Sequence, residues 1–232
     1  MMPQAALIFD CDGVLVDSEA LSVAELGRAL RDAGARISDD QIFDRMIGRS
    51  VKQISAIILE EQGLDMTSAL SQYRESLRHR FDAELQPIQG IGDAIRAMAD
   101  LPRIVASSSG PERIAQSLAL TGLADLFGDR ICSAVEVPNG KPAPDLFLLA
   151  AARLEVDPAQ CIVIEDSEAG VRAAKSAGMR VVGFMGGSHA AASGLAVKLP
   201  ALGVDALASH ANDLPSIISG LIGSGSEHVS GN

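Results

Sequence analysis

LIFDCDGVLVDSE, residues Leu7 to Glu19, is the stretch from which the rest of the chain can be read. An apolar run, Ala5–Phe9, ends in two aspartates one residue apart, Asp10 and Asp12, and a glycine follows at once. A short apolar run bounded by turn residues reads as a buried strand. Carboxylates at the end of a buried strand repel each other and lose hydration. Alone, the pair is equally well read as turn and cap residues, because Asp is common in turns. The remaining strand ends decide between that reading and a site.

Four similar runs follow, Arg103–Ala106, Arg130–Ser133, Cys161–Ile164 and Arg180–Phe184, with Val204–Ala208 as a candidate sixth. Helical patterns separate them over Gly92–Ala99, Pro111–Thr121, Asp145–Leu154, Ala169–Ala177 and Asn212–Leu221. Strand alternating with helix predicts an α/β fold, a doubly wound parallel sheet covered on both faces. From Ser18 to Glu84 the alternation stops. Leu21, Ala24, Leu26, Ala29 and Leu30 recur at helical spacing, and Asp39–Met46, Val51–Gln62 and Thr67–Ala83 continue the helical pattern. The expected organisation is a core of residues 1–16 and 86–222, a helical insert of residues 17–85 after the first strand, and a Gly/Ser-rich disordered tail, 223–232.

Composition narrows the partners. The chain has 232 residues, enough for one substantial core with an insert. Its net charge of −11 argues against nucleic acid and anionic lipid, and leaves room for a small anionic substrate at a local cationic pocket. No segment approaches the ~20 apolar residues of a membrane span, and no basic leader with an apolar stretch and cleavage site is present. Cys11, Cys132 and Cys161 are too few and too dispersed for a disulfide scaffold or a cysteine zinc site, so a cytoplasmic location is expected. His79, His189, His210 and His228 have no metal spacing and read as surface residues. The expected assembly is a monomer or weak homodimer.

In an open parallel sheet ligands bind at the carboxyl ends of the strands. The first strand ends in Asp10 and Asp12, the second in SSSG (Ser107–Gly110), the third in NGKPAPD (Asn139–Asp145) and the fourth in Glu165 and Asp166. A cluster of oxygen ligands suits Mg²⁺, with Asp10, Asp12, Glu165 and Asp166 as candidate ligands. The Ser107 hydroxyl and the N–H groups of Ser108 to Gly110 at a helix N-terminus suit an anion, and Lys141 adds a fixed positive charge. Together these groups fit phosphoryl transfer, where charge stabilisation does most of the catalytic work. Competing readings are a helix N-cap for Asp166, a turn role for Ser107 and a solvated loop charge for Lys141. Arg172 and Lys175 read as solvated charges. Of the charges in the insert, Arg49 in the loop Gly48–Ser50 is the candidate to face the site.

These residues resemble the four motifs of the haloacid dehalogenase superfamily. DCDGVLVDSE matches the first motif, Ser107 the second, Lys141 in GKPAPD the third, and Ile164–Met179 (IEDSEAGVRAAKSAGM) the fourth, in order and over most of the chain. The resemblance implies that Asp10 is the nucleophile and forms an aspartyl-phosphate. It implies that Asp12 is the general acid and then the base, with Gly13 permitting the tight turn that places both. It implies Mg²⁺ bound by the Asp10 carboxylate, the Asp12 carbonyl and Asp166, with Glu165 supporting. Ser107 and Lys141 would hold the phosphoryl oxygens. The insert is similar to the four-helix cap of the beta-phosphoglucomutase-like branch, with hinges near Val14–Ser18 and Phe81–Pro87.

The expected activity is a Mg²⁺-dependent phosphatase of a small metabolite. FDCDG, VDSE and FDAEL are similar to segments of bacterial phosphatases of sugar phosphates and phosphorylated sugar acids such as 6-phosphogluconate. A phosphosugar mutase of the beta-phosphoglucomutase type is the alternative. In that branch a His typically lies four positions after the residue matching Ser18, and here that position is Ser22. A 2-haloacid dehalogenase is disfavoured by Asp12. A phospho-receiver module is disfavoured by the large insert and by the position of the acidic pair.

Overall fold

The apolar run before Asp10 is a central strand. The computed structural model describes residues 5–46 and 51–225. Strands β1 (Ala6–Phe9), β2 (Arg103–Ser107), β3 (Ile131–Ser133), β4 (Cys161–Glu165), β5 (Arg180–Phe184) and β6 (Ala206–Ala208) form one sheet in the order β3-β2-β1-β4-β5-β6. Every neighbouring pair is parallel. The order reverses between β1 and β4, so the carboxyl ends of these two strands flank the crevice where such sheets bind ligands.

Period-two alternation splits the core. Leu7 and Phe9 of β1 face one apolar layer, with the helices α5 (Ile91–Ala97), α6 (Pro111–Leu120), α7 (Ala124–Phe127) and α11 (Leu214–Gly225). Ala6 and Ile8 face the other, with α8 (Asp145–Leu154), α9 (Glu168–Ser176) and α10 (Leu195–Ala201). With few aromatics to spend, the chain packs both layers mostly with Ala, Val, Leu and Ile. The expected α/β fold is the observed one.

Between β1 and α5 the described chain forms four helices, α1 (Glu19–Asp32), α2 (Asp39–Met46), α3 (Val51–Gln62) and α4 (Thr67–Glu84). Val23, Leu26 and Leu30 of α1 and Tyr73, Leu77 and Phe81 of α4 form their buried faces. Ser76 of α4 donates to Glu25 of α1 at 2.8 Å and accepts from Arg28 at 2.8 Å. The chain leaves and re-enters the sheet side by side: the Asp17 N–H donates to the Gln86 carbonyl (2.9 Å) and the Ile88 N–H to the Leu15 carbonyl (3.0 Å).

Two helices escape the periodicity reading. The four-residue α7 is too short to show a period, and Pro200 lies inside α10, where it breaks the helical pattern. The tail expectation also needs correction. Leu214, Ile218, Leu221 and Ile222 are apolar residues facing the core layer, and the helix they drive continues to Gly225. The rest of the expected tail, 226–232, lies outside the described residues.

Candidate active site

The site is assembled from the ends of β1, β2 and β4, the loop before α8 and the loop after β5. Asp10 follows β1 directly, and its N–H donates to the Ile164 carbonyl of β4 (3.1 Å). Cys11 turns into the core. Gly13 then reverses the chain with φ +81°, a left-handed conformation that disfavours a side chain. A Cβ there would lie 1.8 Å from Asp166 Oδ2, so this glycine is also required by close approach.

Lys141 is the buried hub of the acidic side. Its Nζ lies 2.7 Å from Asp10 Oδ1, 2.7 Å from Glu165 Oε1 and 4.8 Å from the Phe147 ring centroid. Burial lowers its pKa, but Asp10 and Glu165 outweigh that and raise it, so the ammonium is permanently charged. Glu165 also accepts from the Ser167 N–H (2.7 Å). Helix α9 can start against it because residue 170 is glycine: a Cβ there would sit 1.7 Å from Glu165 Oε1. The solvated-loop reading of Lys141 is therefore wrong. So is the N-cap reading of Asp166, because Ser167 caps α9 by accepting from the Gly170 N–H (3.0 Å).

Asp10, Glu165 and Asp166 each place a carboxylate oxygen within 4.8 Å of the other two. Burial, followed by neighbouring carboxylates, raises Asp10 and Asp166 well above the usual carboxylate range despite Lys141. Asp166 Oδ2 is buried and has no hydrogen bond among the described residues. Three buried oxygen donors with surplus negative charge and an unengaged lone pair fit a hard divalent cation such as Mg²⁺. The Asp12 carboxylate does not join this group; its main-chain carbonyl is the atom expected to.

Instead, the Asp12 carboxylate is held by three donors. Ser18 Oγ donates to Oδ1 (2.6 Å), Ser109 Oγ to Oδ2 (2.7 Å) and Arg113 Nη2 to Oδ1 (2.8 Å). Burial pushes Asp12 up, but Arg113 and the two hydroxyls outweigh it and hold the carboxyl below its usual range. Ser18 sits at the N-cap of α1 without capping it, its hydroxyl being given to Asp12. Arg113 Nη2 also donates to Ser22 Oγ (3.1 Å), and its guanidinium lies 5.0 Å over the Phe81 ring of α4. In the SSS run, Ser109 is the residue that reaches Asp12. Ser107 is buried and accepts from the Ser109 N–H (3.1 Å).

Above these groups, a cavity of about 1040 Å³ lies between the sheet ends and the inserted helices. It is lined by Asp10, Asp12, Ser107, Ser108, Lys141, Glu165 and Asp166 from the expected set, and by Tyr73, Arg74, Leu77, Arg78 and Phe81 of α4. Ser108 to Gly110 lead into α6, as expected of an anion-binding turn. Arg49 lies outside the described residues. Arg172 and Lys175 are exposed, as expected.

Three site residues went unread in the sequence. Arg113 lies on the apolar-patterned start of α6, and nothing in its spacing marks it. Glu19 is buried in the first turn of α1, where burial and then the charges of Asp12 and Asp166 push its pKa to about 8. His189 was expected at the surface but is 2% exposed, with Nε2 3.0 Å from Asp166 Oδ2. The loop 185–193 folds it inward because Gly187 and Gly13 leave room for its ring. Burial lowers its pKa, so it is neutral. His79 and His210 are exposed, as expected, and His228 lies outside the described residues.

The family model described as haloacid dehalogenase-like hydrolase matches residues 7–184. The chain is 31% identical over 186 residues to 6-phosphogluconate phosphatase of Escherichia coli, covering 79% of this chain and 84% of that protein. It is 31% identical over 223 residues to beta-phosphoglucomutase of Bacillus subtilis, covering 90% and 91%. Among solved structures, a conserved haloacid dehalogenase-like protein of Agrobacterium tumefaciens superposes with a TM-score of 0.79 at 34% identity, covering 93% of this chain and 98% of that one.

Proposed function

The chain belongs to the haloacid dehalogenase-like hydrolases, and from that premise we propose that it is a Mg²⁺-dependent phosphatase of small phosphorylated metabolites, sugar phosphates or phosphorylated sugar acids such as 6-phosphogluconate. The observation that carries this reading is the division of the two β1 aspartates. Asp10 is clamped by Lys141 beside two further carboxylates, whereas Asp12 is turned away and held by Ser18, Ser109 and Arg113.

Asp10 attacks phosphorus and becomes an aspartyl-phosphate as the P–O bond to the leaving alcohol breaks. Lys141 keeps the nucleophile oriented and offsets charge as a phosphate dianion approaches. A dianion entering beside Asp12 competes for Arg113 and raises the Asp12 carboxyl, which takes up a proton from solvent. Asp12 then gives its proton to the leaving oxygen, and in the second half takes one from the water that hydrolyses the acyl phosphate. The N–H groups of Ser108 to Gly110 and the Ser107 hydroxyl receive the phosphoryl oxygens. Asp10, Asp166, the Asp12 carbonyl and, in support, Glu165 would hold Mg²⁺, whose positive charge would offset that of the transferring group. Helices α1–α4 act as a cap that excludes water and selects the substrate, with residues 14–18 and 81–87 as its hinges. The cationic side chains Arg74 and Arg78 in the cavity suit an acidic or polyhydroxylated substrate.

The mutase alternative rests on the likeness to beta-phosphoglucomutase. Ser22 weighs against it: it is bonded to Arg113 and has no imidazole with which to activate a sugar hydroxyl. Among the described residues no helix is long and apolar enough to cross a membrane. The acidic charge and three free thiols support a cytoplasmic enzyme, monomeric or weakly dimeric.

The test is a phosphate-release screen over sugar phosphates, sugar-acid phosphates and nucleotides. Turnover should require Mg²⁺, stop in EDTA and vanish in Asp10→Asn. Near-wild-type activity in D10N would refute the nucleophile. Isomerisation of a hexose 1-phosphate, primed with its 1,6-bisphosphate, that outpaces phosphate release would overturn the hydrolase reading in favour of the mutase.

A further inference from the structure

His189 is the one buried imidazole among the described residues, and none of the steps above uses it. It sits in the loop 185–193 after β5, with Nε2 3.0 Å from Asp166 Oδ2. The approach is off the line a hydrogen bond requires. Asp166 Oδ2 and both ring nitrogens of His189 are buried, and none of the three has a hydrogen bond among the described residues. Leaving such groups unpaired costs about 1–3 kcal/mol each. A side chain kept for packing alone is more cheaply leucine or methionine, so an imidazole here calls for a polar purpose.

Its surroundings are built to hold it. A Cβ on Gly187 would lie 2.7 Å from Nδ1 and Cε1, and a Cβ on Gly13 would lie 2.9 Å from Cε1. Two glycine backbones therefore make room for the Cε1 edge of the ring. The loop is also tied to the chain leaving β1: the Ser188 N–H and Oγ both reach Asp17 Oδ1, at 3.1 and 2.8 Å. The ring is thereby held against one oxygen of one carboxylate in the candidate metal cluster.

We propose that His189 is a positioning residue for the metal site: when a divalent cation binds, a small turn of the ring brings Nε2–H into line with Asp166 Oδ2 and the donation fixes the orientation in which this carboxylate meets the cation. Partners that hydrogen-bond a ligating carboxylate set its orientation and basicity, and their loss typically weakens metal binding about 10–100-fold. His189 does not itself join the group of clustered ligand atoms, which is Asp10, Glu165 and Asp166. The inference rests on the metal reading of that cluster.

The experiment is Mg²⁺ titration by calorimetry on wild type, His189→Leu and His189→Gln, with melting temperatures in EDTA as a check on folding. Leucine keeps the volume without a donor, and the glutamine amide returns a donor near Nε2. H189L should bind Mg²⁺ about 10–100-fold more weakly and H189Q within a few-fold of wild type. Unchanged affinity in H189L refutes the inference, and so does an H189Q as weak as H189L, which would make the role one of shape. A wild-type chain that takes up no divalent cation refutes the metal reading itself and this inference with it. Should H189L fail to fold, ¹⁵N-resolved NMR of the wild-type ring in Mg²⁺ decides: the Nε2–H tautomer is expected, and an Nδ1–H tautomer overturns the proposal.

Discussion

Substituting Glu19 by glutamine should stabilise the protein in a pH-dependent way. Glu19 is 8% exposed in the first turn of α1, and its carboxyl titrates at about 8 against an ordinary value of 4.5. Burial is the main cause, followed by the charges of Asp12 and Asp166. The folded chain thus holds this proton more tightly than the unfolded one. Between the two pKa values every rise in pH favours unfolding. Integrated from pH 5 to pH 8, the loss is about 3.5 kcal/mol, equivalent to about 7–14 °C in melting temperature for a chain of this size. Glutamine has the shape of the neutral acid and no proton to lose. Thermal melts of wild type and E19Q, in EDTA at intervals from pH 5 to pH 9, should start close together and diverge in favour of E19Q up to pH 8, then run parallel. Asp10, whose pKa is also raised, titrates in both proteins and drops out of the difference, whereas Asp166, whose charge acts on Glu19, drops out in part. Parallel curves throughout would refute the buried, neutral Glu19.

Other substitutions probe the remaining contacts. Arg113→Met removes the cation from Asp12 and should destabilise the chain by about 3 kcal/mol at neutral pH, as expected for breaking a mostly buried ion pair; a denaturant midpoint equal to wild type would show the pair to be energetically idle. Lys141→Met leaves Asp10 and Glu165 without a cation. It should lower stability by about 3–5 kcal/mol and abolish turnover, and chemical denaturation with phosphate release reads both. Gly170→Ala drives a methyl group onto Glu165, so phosphate release should fall at least about 100-fold, the order expected when a catalytic group is misplaced by an ångström. Activity close to wild type in G170A would mean that Glu165 does not need its observed position.

The fold was legible because a parallel sheet writes itself as short apolar runs at regular intervals, and the strand ends were legible because charged residues stand out there. Asp10, Asp12, Glu165 and Asp166 come from such ends, and Lys141 from the loop that leads from β3 to α8. What the sequence hid was everything set by tertiary approach. Arg113 is an ordinary helix residue until α6 is packed beside β1 and α4. Glu19 looks like an acidic first-turn residue, which is common and stabilising on a surface helix, and becomes unusual only when α1 starts beneath the cavity. His189 lies in a run of small residues, GGSHAAAS, that has no period at all. Only the glycines around it hint that a bulky ring is being accommodated, and glycines in a loop have too many other uses to carry that reading alone.

The proposed division of labour between Asp10 and Asp12 follows from where the chain places its positive charge. Asp10, Asp12, Glu165 and Asp166 share the site with two cations, Lys141 and Arg113. Lys141 pairs with Asp10 and Glu165, and Arg113 with Asp12, so among the described residues Asp166 has no cation of its own and lies beside a neutral imidazole. The pKa directions mirror this placement: Asp12, with a cation and two hydroxyls of its own, is lowered, whereas Asp10 and Asp166 are raised. A divalent cation, on the proposed reading, would sit on the Asp10–Asp166 side, where the chain supplies the least compensation. The protonation of Asp12 is governed from the opposite side by Arg113, which also touches Phe81 of the inserted helices. Any movement of α4 over a substrate would thus act on the partner of the proposed proton carrier, while the proposed metal side is braced on β1 and β4. One residue of separation on a strand end suffices for this, because Cys11 between them turns into the core and lets the two carboxylates face different neighbours.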